Sequence, residues 1–321
     1  MKVLVYGWYH QGNIGDDLFM DAFCYLFPNI SFEFTEKITA DKLKDIDAVF
    51  FGGGSFLLDA PNISSDALQI MATKKVFYLG VGIETNIHPT HQALLSHASL
   101  IATRSLEQVE KIKSFNHNVR FVPDLVYALQ PKIKEATPID KSVLVMTNIS
   151  VVPHNADPHW KHAAWAYFKS EFGQFLDWLV DSGYKPQLFS MCQGINLDDS
   201  WASAELVNSL SKRSRNRLMM EKPTGIEQVS ELISRHEMLI TQRFHGIVLA
   251  EMTRTPYIAI HHHDKLKFSQ PNEGTFLSYY NSSKLSYISA FEKTIKMNFS
   301  DTLPIESNIF KTLVEEVGSL L

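Results

Sequence analysis

The chain has 321 residues, 45% of them hydrophobic and 20% charged, with a formal net charge of −5. This is the composition of a globular protein of about two 150-residue domains, and its charge argues against broad nucleic-acid or anionic-membrane binding while leaving room for a local basic pocket. No stretch approaches the roughly 18 apolar residues of a membrane helix, the start lacks the pattern of a signal peptide, and Cys24 and Cys192 are too few for a disulfide framework or a zinc knuckle, so a cytoplasmic location is expected.

In chain order, residues 2–6 read as a buried strand. A glycine-punctuated turn from Gly7 to Gly15 follows, and then a helix from Asp16 with Leu18, Phe19, Ala22, Phe23, Leu26 and Phe27 inward. Further strands are expected at 48–51, ending in Gly52-Gly53-Gly54-Ser55, at 76–79, ending in Gly80-Val81-Gly82, at 100–103 and at 119–122. Arg104 stands just before a helix whose start, Ser105 with Gln108, has the capping-box pattern. Residues 130–141, with two prolines and alternating charges, read as a linker.

A second series follows, with strands at 143–146, 187–191, 238–240 and 257–260 and helices near 160–180, 202–212, 225–234 and 246–252; Thr224 and Glu227 form another capping-box pattern. Strand and helix alternation in both halves predicts two Rossmann-like, doubly wound α/β domains, 1–133 and 142–290, with a ligand cleft between them. A helical tail, 291–321, is expected to pack back on one of them.

The most informative stretch is Thr241-Gln242-Arg243-Phe244-His245-Gly246, where an apolar strand gives way to a helix. There a fixed cation, a titratable ring and the N–H groups of a helix start are brought together, as an anionic substrate requires. Gly12-Asn13-Ile14-Gly15-Asp16-Asp17 is ambiguous: its backbone suits an anion, but its two carboxylates repel one, so one Asp reads as a helix cap and the other as a proton acceptor. The three successive glycines Gly52 to Gly54 permit close backbone approach to a ligand. Neither GxGxxG nor a P-loop is present. His261-His262-His263, and His154, His159 and His162, lack zinc spacing, so no metal site is expected. Trp160, Trp165, Tyr167, Phe168, Phe172, Phe175 and Trp178 recur at helical spacing and read as core.

Together, Gly12 to Asp17, Gly52 to Ser55, Gly80-Val81-Gly82, Arg104, Pro123-Asp124, Arg243-Phe244-His245-Gly246 and Lys265 resemble the polysaccharide pyruvyltransferase family. The resemblance implies a glycosyltransferase-B-like arrangement and transfer of the enolpyruvyl unit of phosphoenolpyruvate onto a sugar diol as a ketal, with release of phosphate. It implies that Arg104, Arg243 and Lys265, with Gly53, Gly54 and Ser55, hold the donor. His245 would be the acid that protonates the donor methylene, and Asp16 or Asp17 the base on the sugar hydroxyl, with Asn13 and Asp17 contacting the acceptor. Phosphoenolpyruvate is then a co-substrate and no cofactor is expected. The acceptor would be a sugar, a glycoside or a lipid-linked oligosaccharide, met with at most peripheral membrane association and without nucleic acid. This chain departs from the family pattern at Gln242, where Ser is common, at Ser105, where Asp is common, and at Leu125, where a second proline is common. The competing expectations are a nucleotide-sugar glycosyltransferase of the same architecture and a non-catalytic partner in a polysaccharide assembly complex.

Overall fold

The computed structural model describes residues 1–54, 60–82, 87–148, 157–194, 198–221, 223–261, 275–297 and 307–321. They form two compact units, 1–11 with 16–131 and 304–321, and 12–15 with 132–303.

The first unit holds β1 (Lys2–Tyr6), α1 (Ile14–Leu26), β2 (Ser31–Thr35), β3 (Ala48–Gly52), α2 (Ser65–Met71), β4 (Lys75–Val81), α3 (Pro89–His97), β5 (Leu100–Thr103), α4 (Leu106–Lys113) and β6 (Val119–Phe121). Its sheet is parallel in the order β2-β1-β3-β4-β5-β6. Apolar runs such as Ala48-Val49-Phe50-Phe51 are buried on both faces, which is what a parallel sheet covered by helices demands. The order reverses between β1 and β3, so the carboxyl ends of these two strands flank the topological switch point.

The second unit holds β7 (Ile139–Met146), α5 (Pro158–Asp181), β8 (Lys185–Phe189), α6 (Asp199–Ser209), α7 (Lys212–Arg215), β9 (Met219–Glu221), α8 (Gly225–Ser234), β10 (His236–Thr241), α9 (Phe244–Met252), β11 (Tyr257–His261), β12 (Thr275–Ser278) and α10 (Lys284–Thr294). Its parallel order is β12-β11-β10-β7-β8-β9, the doubly wound Rossmann order, and its switch point lies between β7 and β10. The tail helix, α11 (Ser307–Leu320), belongs to the first unit, where Leu313 and Val317 are fully buried and Glu316 pairs with Arg120.

Several local expectations are corrected. Residues 130–141 are not a plain linker: a 3-10 segment, Leu125–Lys132, runs into it, and β7 already begins at Ile139. The start of β7 is polar and exposed, and it bulges, with Lys141 at φ 57° and a register shift opposite His236 and Met238. Neither capping box forms. Gln108 accepts from Thr103 Oγ1 (2.7 Å) instead, and Gln228 takes both the Thr224 amide (3.0 Å) and its hydroxyl (3.2 Å). The aromatic stripe on α5 divides: Phe168, Phe172 and Phe175 are core, but Trp160 and Tyr167 are exposed.

Candidate active site

In the second unit, Gln242, Arg243 and His245 follow β10 and so stand at the switch-point edge of the sheet. The junction is tight. Thr241 Oγ1 accepts from the Arg243 amide (3.0 Å) and donates to the Arg243 carbonyl (3.1 Å). A Cβ on Gly246 would collide with Thr241 Oγ1 and stand 2.9 Å from Met146 Sδ. Only glycine lets α9 start this close to the strand ends. Every residue of α9 is buried, so the helix has no polar face and its first turn is fixed by packing on all sides.

Arg243 is held by a residue the sequence did not single out. Its Nε donates to Asp199 Oδ2 (3.0 Å) and its Nη2 to Asp199 Oδ1, a bidentate pair on a carboxylate with no solvent exposure. Asp199 also accepts from the Cys192 amide (3.0 Å), while its own amide donates to the Cys192 carbonyl (2.8 Å). A guanidinium has five N–H donors, and Asp199 occupies one edge of it. Among the described residues the Nη1 group has no hydrogen-bond partner, and the side chain keeps 15% exposure. Asp198, the residue before Asp199, caps α6 by accepting from the Ser200 amide (2.8 Å).

Gln242 is buried, and its Oε1 accepts from the Asn148 amide (2.9 Å) at the end of β7. An amide N–H can only donate, so the side-chain oxygen must face it, and the Nε2 group is left as a buried donor without a partner among the described residues.

His245 is also buried, with its ring edge-on to Phe244 (centroids 5.4 Å apart). Gly15 lies directly against it: a Cβ there would stand 2.7 Å from the imidazole Cγ and closer still to Nδ1. The 12–15 segment is fixed within this unit. The Ile14 amide donates to the Met191 carbonyl (3.0 Å), the Gln193 amide donates to the Gly12 carbonyl (2.7 Å), and Asn13 bridges Cys192. Asn13 Oδ1 accepts from the Gly15 amide (3.1 Å), so this side chain caps the start of α1, and the Ile14 and Gly15 amides are committed to protein acceptors.

In the first unit, Asp16 and Asp17 lie in the first turn of α1. Asp17 Oδ1 accepts from the amide of His10 (2.8 Å), a non-glycine residue at φ 60°. Burial pushes the Asp17 carboxyl above its ordinary range, further than the hydrogen bond from His10 lowers it. Tyr9 donates to the Gly52 carbonyl, and burial with the charges of Asp16 and Asp17 raises its phenol well above the usual value. Gly53 and Gly54 have φ 78° and 76°, which explains the glycines without a ligand, and Phe19 fills the space a Gly53 side chain would need. Arg104 is buried with Asp124, Nη1 to Oδ2 at 2.7 Å, while Asp124 Oδ1 accepts from the Val126 amide (3.1 Å). The Pro123-Asp124 motif thus supplies the counter-charge of the first-domain arginine. Ser55, Lys265 and Asp264 lie outside the described residues, as do His154, His262 and His263. Among the described residues no group of three or more His, Cys, Asp or Glu is placed to hold a metal, and no helix is long and apolar enough to cross a membrane.

These two parallel-sheet units define the protein as an α/β protein with a glycosyltransferase-B-like fold. Solved structures agree at the level of the fold. The UDP-GlcNAc 2-epimerase from Methanocaldococcus jannaschii, in complex with UDP-GlcNAc and UDP, superposes with TM-score 0.64 at 10% identity, covering 99% of this chain and 100% of that one. The enzyme from Neisseria meningitidis bound to UDP-GlcNAc gives 0.58 at 12% identity, covering 99% and 100%. The polysaccharide pyruvyl transferase family model matches residues 13–264, and the chain belongs to that family. The amylovoran biosynthesis protein AmsJ of Erwinia amylovora is 22% identical over 253 residues, 73% of this chain; the match spans 60% of the length of that relative.

Proposed function

We propose that the protein transfers the enolpyruvyl group of phosphoenolpyruvate to two hydroxyls of a sugar in a cell-surface polysaccharide or its precursor. Family membership supports the reaction class. The observation that carries the donor assignment is the Arg243–Asp199 pair beside His245 at the switch point. Asp199 fixes one edge of the guanidinium and turns Nη1 away from itself, so a donor oxygen meets a cation whose orientation is already set. In the ketal, C2 of the donor gains two sugar oxygens, its bond to the phosphate oxygen breaks, and C3 becomes a methyl group. Of the two protons lost by the diol, one ends on C3 and one on phosphate. His245 delivers the proton to C3. Asp17, whose raised carboxyl favours proton uptake, is the base on the sugar hydroxyl. The family resemblance implies Arg104 and Lys265, with Gly53, Gly54 and Ser55, as the remaining donor contacts. Gln242 Nε2 offers a further buried donor to a ligand oxygen. The reaction needs no resident cofactor and is placed in the cytoplasm, the compartment that holds phosphoenolpyruvate.

The test is the reaction in deuterated water with an extracted glycan pool. Stoichiometric phosphate by ³¹P NMR and a ketal methyl carrying one deuteron support the reading; phosphate without the labelled methyl contradicts it. A nucleotide-sugar transferase is the second reading, favoured by the UDP and UDP-GlcNAc bound in the structural neighbours. It requires consumption of a nucleotide sugar in the same mixture.

A further inference from the structure

We propose that Gln242 and Ser190 seat the carboxylate of the donor and so leave its phosphate to Arg243. The assignment rests on the pyruvyl-transfer reading and deepens it: it fixes which end of phosphoenolpyruvate lies where, and it makes the carboxylate the group by which this site selects its donor.

The residues concerned all belong to the second unit. Thr241 and Met146 lie on the α9 face of the sheet, since both crowd Gly246. Side chains alternate along a strand, so Gln242 and Thr147, the next residues after β10 and β7, face the other side. Thr147 bears this out, because its hydroxyl pairs with that of Ser203 on α6 (2.8 Å). Ser190 follows β8, two positions beyond Leu188, which packs with Phe168 and Leu206 of α5 and α6 on that same face. Thr241, Met146 and Phe189 are partners across the three strands, so Gln242, Thr147 and Ser190 make the next row at their carboxyl ends. Asp199, one turn before Ser203 on the buried face of α6, holds Arg243 beside this row.

Two groups in the row lack a partner. Gln242 is 2% exposed and Ser190 1%, and among the described residues neither Gln242 Nε2 nor Ser190 Oγ makes a hydrogen bond. A buried donor left unpaired costs stability, and folded proteins keep few of them. Gln242 and Ser190 flank Thr147, each one strand spacing of about 4.8 Å away. The Gln242 side chain folds over the end of β7, where its Oε1 meets the Asn148 amide (2.9 Å), so its carboxamide lies on the Ser190 side of its own strand. Arg243, with 15% exposure, marks the side from which a ligand enters.

Charge decides which end of the donor goes where. A carboxylate carries one charge over two oxygens that only accept, and two neutral donors satisfy it. A phosphate carries up to two charges and gains more as its bond to C2 breaks, so it belongs on the fixed guanidinium. The reverse placement would set the more highly charged group against neutral donors and leave the cation on the weaker anion.

The test uses the full chain with phosphoenolpyruvate and with vinyl phosphate, the same enol phosphate without its carboxylate. Phosphoenolpyruvate is titrated by calorimetry, and vinyl phosphate is read by its displacement of phosphoenolpyruvate. The wild type is expected to bind phosphoenolpyruvate at least about tenfold more tightly, the worth of one hydrogen bond to a charged group. Ser190→Ala and Gln242→Leu should each weaken phosphoenolpyruvate about tenfold and leave vinyl phosphate unchanged, whereas Arg243→Lys should weaken both by the same factor. Gln242→Leu also gives up the Asn148 bond, so Ser190→Ala is the deciding variant. Its unfolding midpoint should hold or rise while its affinity falls, the reverse of what a structural hydroxyl would show. A wild type that does not distinguish the two ligands overturns the assignment. So does a Ser190→Ala chain that binds phosphoenolpyruvate as the wild type does, or that weakens for both ligands alike. In each of these cases the pyruvyl-transfer reading stands. No saturable phosphoenolpyruvate binding by the wild type removes that reading, and the assignment with it.

Discussion

Replacing Gly15 by alanine tests whether the start of α1 sets the position of His245. Carbon atoms in contact sit about 3.5–4.0 Å apart, and the new methyl would stand 2.7 Å from the imidazole Cγ and 2.9 Å from its Cβ. The ring, or the helix start, must retreat by about 1 Å. A misplacement of that size costs roughly 100-fold in rate. Stability moves much less. Overpacking costs about 1–3 kcal/mol, and the better helix propensity of alanine returns about 0.5–1 kcal/mol. The net loss of about 1 kcal/mol lowers the unfolding midpoint by only about 2–4 °C. The assay is phosphate release from phosphoenolpyruvate with acceptor present, beside calorimetric unfolding. In a His245→Ala background the ring contacts disappear and only the 2.9 Å approach to Cβ remains, so Gly15→Ala should cost less stability there than in the wild type. Full activity together with a raised midpoint in the single variant would refute the reasoning.

Other outcomes follow from the same geometry. Asp199→Ala leaves the Arg243 guanidinium without its buried counter-charge and should cost about 3 kcal/mol in chemical denaturation, together with weaker phosphoenolpyruvate binding. Asp17→Asn should retain the hydrogen bond from His10. Because burial raises the carboxyl in the folded state, the wild type loses stability as pH rises through the acid range; the variant should therefore be the more stable at pH 7 and equal to wild type at pH 3, while losing activity at both. His91, buried beside Tyr78 with its pKa pushed down by burial and by His88 to about 4, must take up a proton on unfolding below its ordinary 6.5. Stability should therefore fall by about 3 kcal/mol as pH drops from 6.5 to 4, and His91→Gln should flatten that part of the profile.

The central strands were legible because burial on both faces writes a continuous apolar run, as in Val3-Leu4-Val5 or Met238-Leu239-Ile240. The unread strands β2, β9 and β12 all lie at sheet edges, where exposed or half-buried polar residues such as Ser31, Glu33 and Glu221 interrupt the signal. The Arg-x-His-Gly segment was readable from its strand-to-helix transition. Its glycine is explained only in three dimensions, by the approach of Thr241 and Met146. Asp199 was not readable: it lies 44 positions from Arg243, and nothing in the local sequence links the two. The glycines Gly52 and Gly53 invite a ligand in sequence, yet Phe23 and Phe19 occupy the space beside them. The exposure of Trp160 and Tyr167 was hidden for the converse reason, since helical spacing says which residues share a face and not whether that face is covered.

The most direct test of the account is calorimetric titration of the full chain with phosphoenolpyruvate and, separately, with UDP-N-acetylglucosamine. Arg243→Lys serves as control because it keeps a charge opposite Asp199 while losing the planar fork. The account predicts saturable phosphoenolpyruvate binding, weakened at least about tenfold in the lysine variant, and no binding of the nucleotide sugar. Binding of the nucleotide sugar alone, or phosphoenolpyruvate binding of equal strength in the lysine variant, would contradict it.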